Sequence, residues 1–105
     1  MSPILRAMTD DNQILVPESF LDLYTDRARQ RLRVPLAELR ARYEVCEDLA
    51  QQLIASAQHI RFDLGVSEDE VLIRIETGLQ APESGLTPDE GVWVARRLAE
   101  LLEWD

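Results

Sequence analysis

The chain has 105 residues, 46% of them hydrophobic, so it can bury a core without metals or cross-links. Its 20 acidic residues outnumber 11 basic ones and give a formal charge of -9, which repels nucleic acid and anionic membranes. We therefore expect no general nucleic-acid binder. The longest apolar stretches are only a few residues, far short of the ~20 that span a bilayer, so we expect no membrane protein.

Residues 1–16 are predicted to form an N-terminal extension that is partly disordered. Met1 to Met8 include no apolar run of the ~7–15 residues that a secretory signal needs. The short apolar run from Ile14 to Val16 is expected to tuck against the core, because no pairing strand is evident. Cys46 is the only cysteine, so no internal disulfide can form, and we expect a soluble protein of the cytoplasm.

Residues 17–105 are predicted to form a single helical domain. The first helix is expected from about Pro17 to Arg31, because proline suits the first helical position and Glu18 the first turn. The apolar side chains of this helix begin with Phe20.

The second predicted helix is long and runs from Pro35 to near Asp63, where Gly65 follows as a stop signal. Its apolar residues alternate at spacings of three and four, as in a helix that buries one narrow stripe. We call this set the seam, and it comprises Leu36, Leu39, Tyr43, Cys46, Ala50, Leu53, Ala57 and Ile60. A seam of about 25 residues is longer than any other predicted helix. We expect part of it to stay uncovered and a second copy to cover it in a homodimer.

Two further helices are predicted from their N-terminal caps. Ser67 with Glu70 forms a capping-box pattern, and Thr87 followed by Pro88 repeats the device. On the last helix Trp93 is expected in the core, and the solvent face is predicted to hold Arg96, Arg97, Glu100 and Glu103. The predicted fold class is all-α, a small helical bundle of about four helices with short connections and antiparallel neighbours.

Four segments resemble a family of small uncharacterised bacterial helical proteins, some of which are called "ATPase with chaperone activity". They are RYEVCEDLA, DLGVSEDEVL, APESGL and ARRLAELL, within residues 42–102. The resemblance covers most of the chain after Pro17 and implies a helical fold and a role accessory to a larger machine. It does not extend to ATP hydrolysis, because a phosphate-binding loop needs clustered glycines and a lysine. The chain has no lysine and only four scattered glycines.

No catalytic, cofactor or metal site is predicted, and we expect no enzyme. His59 and Asp63 lie one helical turn apart, which favours a surface ion pair. Cys46 is too far along the same helix to meet His59 and occupies a core position. The acidic clusters lack the Glu-x-x-His pairing of bundle metal sites; they are Glu44, Glu47, Asp48 and Glu68, Asp69, Glu70.

The charge distribution is the most informative functional feature. Six arginines and Glu38 make the span from Arg27 to Arg42 locally +5, against -14 for the rest. On a continuous helix these arginines form no single stripe, whereas an extended segment after Arg29 would align three of them. The span is either a set of solvated, locally paired arginines or a patch that binds an anion or an acidic partner.

The residues predicted to bind a partner are Arg27, Arg31, Arg40 and Arg42, together with Trp104 near the C-terminus. Trp104 must dock on a neighbouring helix or be exposed, and tryptophan and arginine are enriched at binding hot spots. The sequence thus predicts a non-catalytic helical protein-interaction module that self-associates. The alternative is a nucleic-acid-associated regulator that uses the Arg27 to Arg42 segment.

Overall fold

The computed structural model describes residues 15–105. This part of the chain contains four α-helices, which confirms the all-α class and the long second helix. It also contains two short 3-10 helices and one two-stranded antiparallel sheet. In chain order the elements are α1 (Glu18–Leu21), a 3-10 helix (Asp22–Tyr24), β1 (Thr25–Asp26), β2 (Arg31–Leu32), α2 (Leu36–Leu64), α3 (Glu68–Leu79), a 3-10 helix (Pro82–Ser84) and α4 (Pro88–Leu102).

The chain divides into two compact units, one ending at Glu44 and the other spanning Val45–Asp105. The division falls inside α2. The predicted single domain over residues 17–105 stays a prediction. Within residues 15–105, no helix combines the length and the apolar character that crossing a membrane would require.

The first helix is much shorter than predicted, because α1 ends at Leu21 and the chain turns into a hairpin. The predicted helix to Arg31 is therefore wrong. Beyond Tyr24, Ala28 is the only apolar residue before Leu32, so a continued helix would have no apolar face to bury. The hydroxyl of Thr25 instead donates a 2.8 Å hydrogen bond to the carbonyl oxygen of Leu21 and closes the last turn.

The hairpin that replaces this helix pairs Thr25 with Leu32 and Asp26 with Arg31. The backbone N–H of Arg33 extends the pairing with a 2.8 Å hydrogen bond to the carbonyl oxygen of Tyr24. The turn between the strands covers residues 27–30 and ends at Gln30, whose φ of 54° lies in the left-handed region. The segment after Arg29 is therefore partly extended.

The core of the first unit forms around Phe20, which is fully buried. Its ring centroid lies 5.8 Å from that of Tyr24 and 5.6 Å from that of Tyr43. Val16 is also fully buried, whereas Leu15 is half exposed. The tucking predicted for the run Ile14 to Val16 is thus confirmed for Val16 only, since Ile14 and the preceding residues lie outside the described chain.

The long helix follows the predicted boundaries to within a residue or two, and Gly65 ends it with a φ of 64°. Burial along the seam is uneven. Leu36 at its start is 37% exposed, while three members are half-buried, namely Tyr43, Leu53 and Ile60. The fully buried members are Leu39, Cys46, Ala50 and Ala57. The seam is therefore incompletely covered, as predicted, and Cys46 packs as a core residue.

In the second unit α3 and α4 pack against each other. Each presents one apolar face, as the sequence periodicity predicts. Trp93 is 7% exposed, which confirms its core position. The buried side chains of these two helices include Val71, Ile75 and Leu79 from α3, and Trp93, Val94, Ala95, Leu98 and Ala99 from α4.

Both predicted N-caps are formed, but only the second is a complete capping box. The hydroxyl oxygen of Ser67 accepts a hydrogen bond from the backbone N–H of Glu70 at 3.1 Å. The Glu70 carboxylate does not reach back to Ser67, because it accepts instead from Arg74 at 3.0 Å. The box predicted at Ser67 is therefore half-formed. At Thr87 both hydrogen bonds with Glu90 are present, at 3.1 and 3.0 Å.

Replacing Thr87 with alanine is expected to lower the free energy of unfolding by about 1 kcal/mol, the typical loss for an N-cap side chain. Ser67→Ala is expected to lower the free energy of unfolding by a similar amount, since it removes one equivalent hydrogen bond. Urea denaturation measures both. Thr87→Ser is the control, because it keeps the hydroxyl and should leave the midpoint almost unchanged. Unchanged midpoints in both alanine variants would contradict these caps.

Candidate functional site

The hairpin brings three arginines together at one open depression. Arg29, Arg31 and Arg33 line it with Asp26 and Leu32, around a volume of about 380 Å³. Side chains two positions apart on a strand share a face, so the extended backbone puts Arg31 and Arg33 on one side. Arg29 lies in the turn before Gln30, so the alignment predicted for an extended segment applies to Arg31 and Arg33 only, and Arg29 lines the depression from the turn. We call this feature the arginine depression.

The arginines of the depression differ in how they are held. Asp26 accepts a 3.3 Å hydrogen bond from the backbone N–H of Arg29, and its other oxygen lies 3.8 Å from Arg29 Nε. The guanidinium of Arg33 donates to the carbonyl oxygen of Leu23. The guanidinium of Arg31 has no hydrogen-bond or ion-pair partner among residues 15–105. In the depression, therefore, the Arg33 side chain is held by a hydrogen bond, the Arg29 side chain makes one long ion pair, and the Arg31 side chain has no partner within the described chain.

The other arginines predicted to bind a partner lie elsewhere. Arg27 is exposed in the hairpin turn, and Arg40 and Arg42 are half-buried on α2. None of the three lines the depression. The Nε atom of Arg40 is buried and has no hydrogen-bond partner within the described chain.

Of the predicted partner-binding arginines, only Arg31 thus belongs to the depression. Arg29, Arg33 and Asp26 also line it, although they are not among the predicted partner-binding residues. The signal for the two arginines was the spacing Arg29, Arg31, Arg33 with period two, which is informative only once the segment is known to be extended.

Trp104 docks against the end of α2, where it is half-buried. The guanidinium carbon of Arg61 lies 5.9 Å from the centre of its ring, within the range of a cation–π contact. Arg61 also lies 3.9 Å from the carboxylate of Glu68 and donates to the carbonyl oxygen of Val66 at 3.4 Å. Trp104 therefore serves a structural contact, and its ring is only partly available to a partner.

A more exposed aromatic side chain lies beside this contact. Phe62, in the last turn of α2, is 80% exposed, and Leu64 is 56% exposed. With Arg61, Gly65 and Val66, Phe62 lines a shallow cavity of about 300 Å³. We call the residues Phe62, Leu64, Gly65 and Val66 the α2 corner. Phe62 lies off the seam, so the spacing of apolar residues along α2 does not mark it as a candidate.

The Glu47–Arg97 ion pair joins α2 to α4 within the second unit. Arg97 donates to both carboxylate oxygens of Glu47, at 2.8 and 3.2 Å, and to Glu100 at 3.1 Å. Gln51 donates to Glu47 at 2.9 Å. The prediction that Arg97 faces solvent is therefore wrong, because this bidentate pair holds it against α2.

The ion pair changes the ionisation of both partners. Burial alone would raise the pKa of Glu47, but the hydrogen bonds from Arg97 and Gln51 and the charge of Arg97 outweigh it and lower that pKa. The hydrogen bond to Glu47 is also the main reason why the pKa of Arg97 is raised. Glu47 is thus a charged group whose carboxylate is engaged in the ion pair with Arg97, and its role is structural.

The groups considered for catalysis lie where the sequence predicts. His59 Nε2 and Asp63 Oδ2 are 2.8 Å apart and both side chains are mostly exposed, so the predicted surface contact between them is present. Cys46 is fully buried. Within residues 15–105, no three histidine, cysteine or acidic side chains are grouped to hold a metal ion.

Comparison of the chain with protein-family models, with curated proteins and with solved structures found no match.

Proposed function

We propose that this protein is a non-catalytic helical protein-interaction module of the cytoplasm, that it self-associates as a homodimer, and that it is accessory to a larger machine. The observation that carries the proposal is the exposure of Phe62 and Leu64 at the α2 corner. The single, fully buried cysteine, which suits a reducing compartment, supports the cytoplasmic assignment.

The α2 corner has the features of a binding surface. Burying a phenylalanine side chain fully contributes roughly 1.5–3 kcal/mol, and most of that gain is unrealised for Phe62 in the single chain. The neighbouring Arg61 is fixed by Trp104, Glu68 and Val66. A fixed polar neighbour beside an exposed aromatic resembles the arrangement of a hot spot, in which polar contacts surround a hydrophobic anchor.

A second copy is the partner that this surface supports best. A two-fold interface pairs the same patch on both subunits, so an apolar corner is complementary to itself. In such a pair Phe62 and Leu64 of one copy bury the same residues of the other.

Light scattering on the purified protein at tens of micromolar tests the dimer. We expect twice the chain mass of 12.0 kDa. Phe62→Ser is expected to reduce the mass to that of one chain, because it removes the central apolar contact. Ile73→Ser is the matched control, since Ile73 is 61% exposed on α3 and lies outside the corner. A wild-type mass of one chain, unchanged on concentration, would contradict self-association.

A nucleic-acid-associated regulator is the second candidate function, and the arginine depression is the observation that favours it. The charge of -14 over the rest of the chain opposes it, because a polyanion must approach that surface too. The salt dependence of binding separates the two functions. Nucleic-acid binding that weakens steeply with rising salt, as counterion release requires, would favour the regulator.

A further inference from the structure

We propose that the arginine depression is a binding site for a phosphate dianion, either a phosphate monoester or free phosphate, independent of the α2 corner. The site consists of Arg29, Arg31 and Arg33, with Asp26 as an internal counter-charge. It is built on the hairpin of the first unit and needs no residue of the second.

The charge of the depression is the first argument. Three guanidinium groups face one carboxylate, so two positive charges are not compensated. The Asp26 carboxylate contacts Arg29, while Arg33 donates to a neutral carbonyl oxygen and keeps its full charge. A phosphate monoester carries a charge of about -1.5 to -2 at pH 7, which matches this surplus, whereas a carboxylate carries only one charge.

The hydrogen-bonding capacity of the arginines is the second argument. A guanidinium group has five N–H donors in a planar fork that fits two oxygens of a phosphate. Arg31 uses none of its side-chain donors within the described chain, and Arg33 uses one. Because the Arg33 side chain is already held by the carbonyl oxygen of Leu23, an incoming phosphate has only the side chains of Arg29 and Arg31 to order.

The surroundings of the depression select a compact ligand. A volume of about 380 Å³ lies near the lower end of the range for small-molecule sites. A nucleic-acid backbone carries one charge per phosphate and is repelled by a chain whose net charge is -9. A single terminal phosphate avoids that repulsion.

The test is a titration of the full chain with inorganic phosphate, followed by the ¹⁵N amide shifts of the hairpin at low ionic strength. We expect saturable shifts at Arg29, Arg31 and Leu32 with a dissociation constant of about 1 mM. Acetate at the same ionic strength should bind at least about tenfold more weakly, because it carries half the charge. Absence of saturation, or equal affinity for acetate, would overturn the proposal.

Variants of single residues locate the site. Arg31→Gln is expected to weaken phosphate binding about tenfold through the loss of one charge-assisted contact. Asp26→Asn should strengthen binding several-fold, because it removes the internal carboxylate charge and keeps the oxygen that accepts from Arg29. Arg96→Gln is the matched control, as Arg96 is exposed on α4, and its affinity should equal that of the wild type. If Arg31→Gln and Arg96→Gln weaken phosphate binding equally, the effect comes from net charge alone, and this result would overturn the proposed site.

A second pair of probes identifies the source of the phosphate. Tighter binding of a phosphoserine peptide than of inorganic phosphate would support the site and assign it to a phosphorylated protein side chain. Equal affinities would support the site and assign it to a free phosphate group. Failure of both probes to move the hairpin amides would overturn the proposal, whatever the oligomeric state of the chain.

Discussion

Replacing Phe20 with alanine is expected to lower the free energy of unfolding by roughly 3–5 kcal/mol, the usual effect of truncating a buried phenylalanine. The side chain is fully buried, and its ring contacts those of Tyr24 and Tyr43. The truncation removes apolar contacts and leaves a cavity that the surrounding backbone fills only partly. Urea denaturation followed by circular dichroism measures the loss.

Loss of Phe20 is also expected to loosen the hairpin that carries the arginine depression. Tyr24 directly precedes β1, and its carbonyl oxygen accepts the hydrogen bond from the backbone N–H of Arg33. The amide of Arg33 should therefore exchange with solvent faster in Phe20→Ala than in the wild type.

Phe62→Ala is the matched control for Phe20→Ala, because it truncates the same residue type at a position that is 80% exposed. This variant should change the free energy of unfolding by no more than about 0.5 kcal/mol in dilute solution, where self-association does not contribute. Equal effects of the two variants would contradict the assignment of Phe20 to the core.

Breaking the Glu47–Arg97 pair is expected to have the second largest effect. Arg97→Ala should lower the free energy of unfolding by about 2 kcal/mol, since it removes both hydrogen bonds to Glu47 and the one to Glu100 and leaves Glu47 partly buried without its main partner. Arg74→Ala is the matched control. Arg74 forms an exposed pair with Glu70 one turn away, and such pairs contribute only about 0.3–0.5 kcal/mol.

The same pair predicts how stability depends on pH. The pKa of Glu47 is lower in the folded protein than its ordinary value, so the unfolded chain takes up a proton first as the solution is acidified. The contribution is complete above the ordinary glutamate pKa of about 4.3, and it is lost as the pH falls through the lower pKa of the folded state.

Glu47→Gln removes this titration, so its stability should fall less steeply between neutral pH and the acid range than that of the wild type. Denaturant midpoints over that range measure the difference. Parallel curves for the two proteins would show that Glu47 does not contribute to acid sensitivity. The Gln51→Ala variant loses only the hydrogen bond from the uncharged Gln51 and keeps both from Arg97. Its stability should therefore depend on pH almost as steeply as that of the wild type.

The α2 corner and the arginine depression show why the candidate sites were harder to predict than the fold. The predicted partner-binding residues include Arg31, which lines the depression, but also Arg40 and Arg42, which lie on α2. Arg29 and Arg33, which line it too, are not among them. A run of basic residues can be recognised from composition alone. Which of those residues share a site depends on the face of the backbone that each side chain occupies.

Short-range interactions made the helices predictable. The three-and-four spacing of the seam specifies α2, and the caps at Ser67 and Thr87 form between residues three positions apart. Such contacts depend only on local backbone geometry, so the sequence determines them directly. The end of α2 at Gly65 follows equally from the ease with which glycine adopts a positive φ.

Only the tertiary structure decided the features that join distant parts of the chain. Glu47 and Arg97 are fifty positions apart, and no local pattern distinguishes their pair from other surface charges. The hairpin forms where a helix was predicted. Phe20 and Leu21 are buried and fix the short α1, whereas the polar residues after Tyr24 supply no apolar face for a longer helix. Phe62 is exposed because no other element of the second unit covers the α2 corner. Packing fixed all three features, since burial depends on neighbours that a local stretch of sequence does not contain.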